Sequence, residues 1–329
     1  MRKKLTSADS VDATTRAPVN RSPELHFHTD QRAAAASNAR QGTGQMSIDC
    51  VTVNVSAGRD YGDVSLTVRR VGESVVGKRV LLFIHGWGGS SQYWRPTMDA
   101  LADIGPSIAP DLPGFGLSRP AMDDRSYTHQ GFAAILAALL DALGIGTCDV
   151  IAHSYGCGPA IHLARAEPTR VRRVVLSNFS TFRSEQERKV VDLMHRASGS
   201  MLALRRFRFA KSRAFARMLG GQFFNRLPDD AVLQRGLEDF LAMNAHAAHT
   251  TVAASLGWDT PQALAELQQP VLLIHSRKDR IMPPGNAPYT ASLAQRSELV
   301  WIDDCGHMPM VEKKREFCNA VRTWLEVEG

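Results

Sequence analysis

The 329-residue chain is poor in cysteine, with only Cys50, Cys148, Cys157, Cys305 and Cys318. The number is odd, the spacings are wide and no C-x-x-C occurs. That argues against a disulfide framework or a zinc site and fits free thiols in a reducing compartment, so a cytoplasmic location is expected. Long apolar runs are also missing: nothing approaches the ~20 residues that a membrane-spanning helix needs. Met1-Arg2-Lys3-Lys4-Leu5 starts like the basic end of a signal peptide, but no apolar segment follows, so no secretion signal is read. There is no G-x-x-x-x-G-K-[ST], which disfavours a phosphate loop.

Charge of one sign is not spread over the whole chain. The net charge is +6, with +3 in residues 1–46 and +5 in residues 182–256, leaving −2 elsewhere. The basic character lies outside the segments that carry strand signals, so nucleic-acid binding by the whole protein is not expected. Residues 1–46 lack apolar periodicity, are rich in Ala, Ser, Thr, Asn and Gln, and read as a flexible tail.

What is present is an ordinary globular composition, 44% hydrophobic and 22% charged. Residues 48–55 and 64–70 alternate like early strands. Short runs that are apolar throughout then recur: Leu81-Leu82-Phe83-Ile84, Val150-Ile151-Ala152, Val174-Val175-Leu176, Val271-Leu272-Leu273-Ile274 and Leu299-Val300-Trp301-Ile302. Such runs suit strands buried on both faces of a parallel sheet. Between them, Thr128 caps a helix carrying Phe132, Ile135, Leu136, Leu139, Leu140 and Leu143, with Gly144 as its stop. A last helix carries Phe317, Val321, Trp324 and Leu325. The alternation predicts an α/β fold with a doubly wound, mostly parallel sheet.

Residues 182–257 break the rhythm with helical stretches and no buried strand. They are expected to form a helical cap inserted between the sixth and seventh strands. That divides the chain into a tail (1–46), a first core part (47–181), the cap (182–257) and a second core part (258–329). Within the cap, residues 205–217 hold six basic residues and no acid. Read as one helix, they put Leu204, Phe207, Ala214, Phe215 and Met218 on one face and Arg206, Arg213 and Arg217 on the other. The simpler reading is a helix over the site with solvated charges; the sharper one is weak contact with a phosphorylated acyl carrier or an anionic lipid surface.

Four motifs carry chemistry. In Ala152-His153-Ser154-Tyr155-Gly156 a strand runs into small-x-Ser-x-Gly, a turn that lifts Ser154 Oγ clear of the sheet. The Tyr155 N–H then faces a site of developing negative charge. His85-Gly86-Trp87-Gly88-Gly89 bends so that the Trp87 N–H points inward, giving a second donor for an oxyanion, with His85 bracing the loop. Asp279 follows Val271–Ile274 and lies among Arg277, Lys278 and Arg280, so alone it reads as a solvated turn. His307 follows a strand in Gly306-His307-Met308, with Asp303 and Asp304 as rival acids for Asp279. Jointly the order Ser154, Asp279, His307, each at a strand end, makes nucleophile, orienting acid and base.

With Asp111-Leu112-Pro113-Gly114-Phe115-Gly116-Leu117-Ser118, these motifs resemble the α/β-hydrolase superfamily over residues 47–329, especially capped esterases and cofactor-free haloperoxidase-like members. Ala152 replaces the usual first glycine of the elbow. The resemblance implies acyl transfer to water from a small, apolar ester through an acyl-enzyme, with no metal and no organic cofactor. It implies that residues 111–118 shape the pocket wall. It leaves open thioester or carbon–carbon bond cleavage with the same residues, and a non-enzymatic receptor or scaffold.

Overall fold

The computed structural model describes residues 48–72, 79–190, 192–193, 207–254, 257 and 259–326. The tail 1–46 lies outside the described residues, as do Leu204, Arg205 and Arg206 of the basic stretch.

The apolar runs become the middle of one eight-stranded sheet. In chain order the strands are β1 Ile48–Ser56, β2 Asp63–Val71, β3 Val80–Ile84, β4 Ser107–Pro110, β5 Cys148–His153, β6 Val171–Ser177, β7 Val271–Ser276 and β8 Ser297–Ile302. Their order across the sheet is β1-β2-β4-β3-β5-β6-β7-β8. β2 runs antiparallel to both neighbours, and from β4 to β8 every pairing is parallel. Every residue of β3, β5 and β7 is buried. Successive side chains enter opposite faces, so Leu82, Ile84, Val150 and Ala152 join one core and Leu81, Phe83 and Ile151 the other. Each fully buried Leu, Ile or Phe contributes about 1.5–3 kcal/mol, which fixes the register of the central strands.

Helices cover both faces. The first core is closed by His129–Ala142 and Cys157–Ala166, the second by Arg95–Ala100 and Lys314–Glu326. Thr128 accepts the N–H of Gly131 at 3.0 Å and starts the first of these; Gly144, at φ +64°, follows its end. β8 departs from expectation. It is the last strand of the sheet, with β7 as its one strand neighbour, and its residues Ser297 to Trp301 are exposed or half-buried.

Between β6 and β7 the described residues contain the helices Arg213–Phe223, Asp230–Ala242, Ala245–Ala254 and Asp259–Ala265, and no strand. The basic stretch is not one helix. Arg208–Lys211 is a short 3-10 turn, and Ser212 is extended. Its hydroxyl accepts the Phe215 N–H at 3.2 Å, so the helix begins there. The face inferred from a continuous helix is therefore wrong. Phe215, Ala216 and Gly220 are buried, while Phe207 and Met218 are 43% and 58% exposed.

Candidate active site

Parallel strands deliver their C-terminal ends to one edge of the sheet, and the predicted residues stand there. Ser154 follows β5, Asp279 follows β7 and His307 follows β8. The Ser154 hydroxyl donates to His307 Nε2 at 3.0 Å. His307 Nδ1–H donates to Asp279 Oδ2 at 2.8 Å. Asp279 is the acid on the ring; Asp303 instead pairs with Arg277 at 2.9 Å.

Ser154 has φ +51°, a left-handed backbone that a serine adopts at a cost of about 1–3 kcal/mol. The turn leads directly into the helix Cys157–Ala166. Among the described residues no acceptor takes the backbone N–H of Tyr155 or of Trp87. The Trp87 N–H has a defined direction. The Gly86 carbonyl accepts from His85 Nδ1 at 2.9 Å and from Gly89 N at 3.2 Å. Across the trans peptide the Trp87 N–H points the opposite way. His85 itself accepts the Leu112 N–H at Nε2, 2.9 Å away. It is buried and kept neutral, since burial lowers its pKa.

Asp279 is surrounded by donors. Asn178 Nδ2 donates to Oδ2 at 2.7 Å, and the N–H groups of Ile281 and Met282 donate to Oδ1 at 2.8 and 2.9 Å. Burial opposes ionisation, but His307 and these donors outweigh it and hold the carboxyl down at about 2. A buried carboxylate is thus available to stabilise a charged His307.

Sequence reading missed three residues. Asn178 stands just past β6 with φ +49°, fully buried. Its only signal is a polar residue immediately after an apolar strand. Tyr93 and His153 are the other two, and they form a pair: Tyr93 Oη lies 3.1 Å from His153 Nδ1, and His153 Nε2 lies 2.9 Å from the His307 carbonyl oxygen. Burial and the nearby His307 lower the His153 pKa to about 3.

Ser154 and His307 open into a cavity of about 1040 Å³. Its apolar walls include Phe182, Phe223, Phe240, Leu219, Val252 and Ile281. The volume is at the upper end for small-molecule sites and exceeds what a small ester requires. Residues 111–118 do not line this cavity. Their effect is one step removed: Leu112 holds His85, and Asp111 accepts the Ser91 N–H at 2.6 Å. Phe207 does not reach the cavity either, whereas Met218 borders it.

The inserted helices are bonded to the loop after β3. Trp87 Nε1 donates to Ala248 O at 3.3 Å and Thr251 Oγ1 at 3.2 Å, and Ser90 donates to Asp239 at 2.7 Å. Burial pushes the Asp239 carboxyl up to about 6. Among the described residues, no three His, Cys, Asp or Glu side chains converge as a metal site would require, and no helix is long and apolar enough to cross a membrane.

A profile of the alpha/beta hydrolase fold matches residues 79–314. The chain belongs to this family. This α/β hydrolase is 31% identical, over 249 residues, to a 2-hydroxymuconate semialdehyde hydrolase of Pseudomonas sp. strain CF600; the match covers 74% of the chain and 86% of the relative. It is 28% identical over 267 residues to a pimeloyl-[acyl-carrier protein] methyl ester esterase of Nitrosospira multiformis, covering 79% and 98% respectively. Among solved structures, a thermophilic esterase from Thermogutta terrifontis aligns with a TM-score of 0.69 at 22% identity, covering 83% of this hydrolase and 97% of that chain. A bromoperoxidase from Bacillus anthracis aligns with a TM-score of 0.71 at 18% identity, covering 84% and 99%.

Proposed function

We propose that the protein is a serine hydrolase that cleaves a carboxylic ester with an apolar acyl group through an acyl-enzyme. The observation that carries this reading is the unbroken line Ser154 Oγ–His307–Asp279, at 3.0 and 2.8 Å, beside the two open N–H groups. His307 Nε2 takes the Ser154 proton as Oγ attacks the ester carbonyl carbon. The carbonyl oxygen becomes an oxyanion held by the Trp87 and Tyr155 N–H groups. The imidazolium faces the Asp279 carboxylate, then gives its proton to the leaving alcohol. Water repeats the cycle on the acyl-enzyme, with His307 as base, and releases the acid. The helices between β6 and β7 act as a cap whose phenyl and aliphatic side chains take the acyl chain. No step calls for a metal or an organic cofactor. The intact constellation favours an enzyme over a receptor or scaffold, which would not need it.

A second reading has specific support. The relative at 31% identity is a semialdehyde hydrolase. Carbon–carbon bond hydrolysis by the same three residues is therefore the alternative, in which a carbanion leaves in place of an alcohol. Thioester substrates, including a carrier-bound acyl group drawn to the basic stretch, use the first mechanism unchanged.

The test is a fluorophosphonate followed by peptide mapping, together with p-nitrophenyl esters of graded acyl length, an acyl-CoA and a vinylogous diketone. Labelling at Ser154 and ester turnover lost in Ser154→Ala are expected. No labelling, or turnover of the diketone alone, would overturn the ester reading.

A further inference from the structure

We infer that Tyr93 and His153 are a positioning pair that sets the Trp87 oxyanion donor in register with Ser154 and His307. The inference rests on the proposed serine-hydrolase reading and deepens it.

The pair forms a chain of hydrogen bonds through three loops. Gly86 N–H donates to Tyr93 Oη at 2.7 Å. Tyr93 Oη is 3.1 Å from His153 Nδ1, and His153 Nε2 is 2.9 Å from the backbone oxygen of His307. Only one arrangement of protons satisfies all three. A carbonyl oxygen only accepts, so Nε2 carries the hydrogen. A neutral imidazole then has a bare Nδ1, which accepts the Tyr93 O–H, while the phenol oxygen receives Gly86. A protonated His153 would leave the phenol hydrogen without an acceptor. Burial opposes the charged form too, since it raises the Tyr93 pKa and lowers that of His153.

Each end of the chain is next to a reacting group. Gly86 precedes Trp87, His153 precedes Ser154, and His307 is the base itself. Gly86 is held on both sides: its N–H by Tyr93, its carbonyl by His85 and Gly89. Rotation of the Gly86–Trp87 peptide would break the carbonyl's bonds to His85 and Gly89, and the Tyr93 bond fixes the preceding His85–Gly86 peptide from which that plane hangs, so the direction of the Trp87 N–H depends on both. The fit is close. A β-carbon on Gly86 would come within 3.0 Å of His153 Nδ1, and one on Gly89 within 2.7 Å of the Tyr93 ring.

Packing alone does not call for these polar atoms. A Phe ring at position 93 would fill the same volume, and burying a hydroxyl and an imidazole is costly unless each bond is made. Preorganised donors act on the transition state more than on bound substrate. Misplacement of about 1 Å can cost on the order of 100-fold in rate.

The experiment compares the full-length protein with Tyr93→Phe, His153→Asn and the double variant. It reads kcat and KM on p-nitrophenyl butyrate, and Ki for an alkyl trifluoromethyl ketone, which becomes an oxyanion on Ser154. Tyr93→Phe is expected to lower kcat by about 10- to 100-fold with KM within about twofold, and to raise the ketone Ki by a similar factor. The double variant should lose clearly less than the product of the single losses, because both act through one chain. A folded Tyr93→Phe with wild-type kcat and Ki would overturn the inference, as would losses in KM or melting temperature alone. If Tyr93→Phe does not fold, His153→Asn decides: its amide oxygen still meets Tyr93 but nothing reaches the His307 carbonyl, so kcat and ketone affinity must fall together. Fluorophosphonate labelling separates the two levels. A wild type unlabelled at Ser154 overturns the parent reading and this one with it; a labelled wild type with an unimpaired Tyr93→Phe overturns this one alone.

Discussion

Gly156 lies so close to His85 that a β-carbon on it would stand 2.5 Å from the His85 carbonyl oxygen. The elbow that presents Ser154 and the loop that presents Trp87 are therefore in backbone contact, and a hydrogen at this position is a steric requirement. Gly156→Ala should destabilise the fold by about 1–3 kcal/mol and remove ester turnover. Gly285→Ala, where nothing lies within 4 Å of the added carbon, is the control. Equal melting temperatures and rates for the two variants would contradict the packing described.

Asp279 is held by Asn178 as well as by His307. Removing the 2.7 Å bond from Asn178 leaves Asp279 with one fewer donor. Asn178→Ala should lower kcat about tenfold, against about 10⁴-fold for Asp279→Asn, in which the ring loses its charged partner. Steady-state kinetics on one ester checks both; an Asn178→Ala rate equal to wild type would show that the contact is dispensable.

Acyl length is the direct probe of the cavity. Each buried methylene adds about 0.8 kcal/mol, or roughly fourfold in kcat/KM, until the chain fills the space. With about 1040 Å³ available, the rise should continue through medium-length acyl groups before it falls. A flat series, or a preference for short charged acyl groups, would contradict an acyl site in these walls.

Two buried histidines predict the acid limb of stability. Burial lowers the His129 pKa from 6.5 to about 4, and the His153 pKa from 6.5 to about 3. Both are depressed, so the unfolded chain binds their protons first as pH falls. Their effect is absent above about 6.5; below it stability is lost at about 1.4 kcal/mol per pH unit for each, down to the folded pKa. Burial also lowers the pKa of His85, His162 and His275, so urea unfolding between pH 7 and 4 should show at least this slope, and His153→Asn should remove about one proton's worth. An unchanged slope would mean that His153 titrates normally in the folded protein.

Strands β3, β5, β6 and β7 were legible because central strands bury both faces, which leaves unbroken apolar runs. β8 has the same kind of run, yet it lies at the edge, and only its last residue is buried. Ser154, Asp279 and His307 were legible from their order and from the strands preceding them. Tyr93 and Asn178 were not. Their partners are 60 and 101 residues away, and no local pattern marks such bonds. The basic stretch misled because its spacing suits one long amphipathic helix, whereas the hydroxyl of Ser212 starts a helix part-way along it. The roominess of the cavity is equally invisible in sequence, since helices and loops distant along the chain build its walls.

The bonds from Trp87 to Ala248 and Thr251, and from Ser90 to Asp239, bear on how such a protein can diversify. A helical insertion on a sheet edge looks like an exchangeable module, to be swapped whenever a new substrate is wanted. Here the module is wired into the loop that carries Trp87, the proposed oxyanion donor. Transplanting residues 182–257 from a relative would cut those wires unless positions 87 and 90 travelled with them. Altered specificity in this lineage should therefore arise more readily by point changes on the inner faces of the helices than by wholesale replacement.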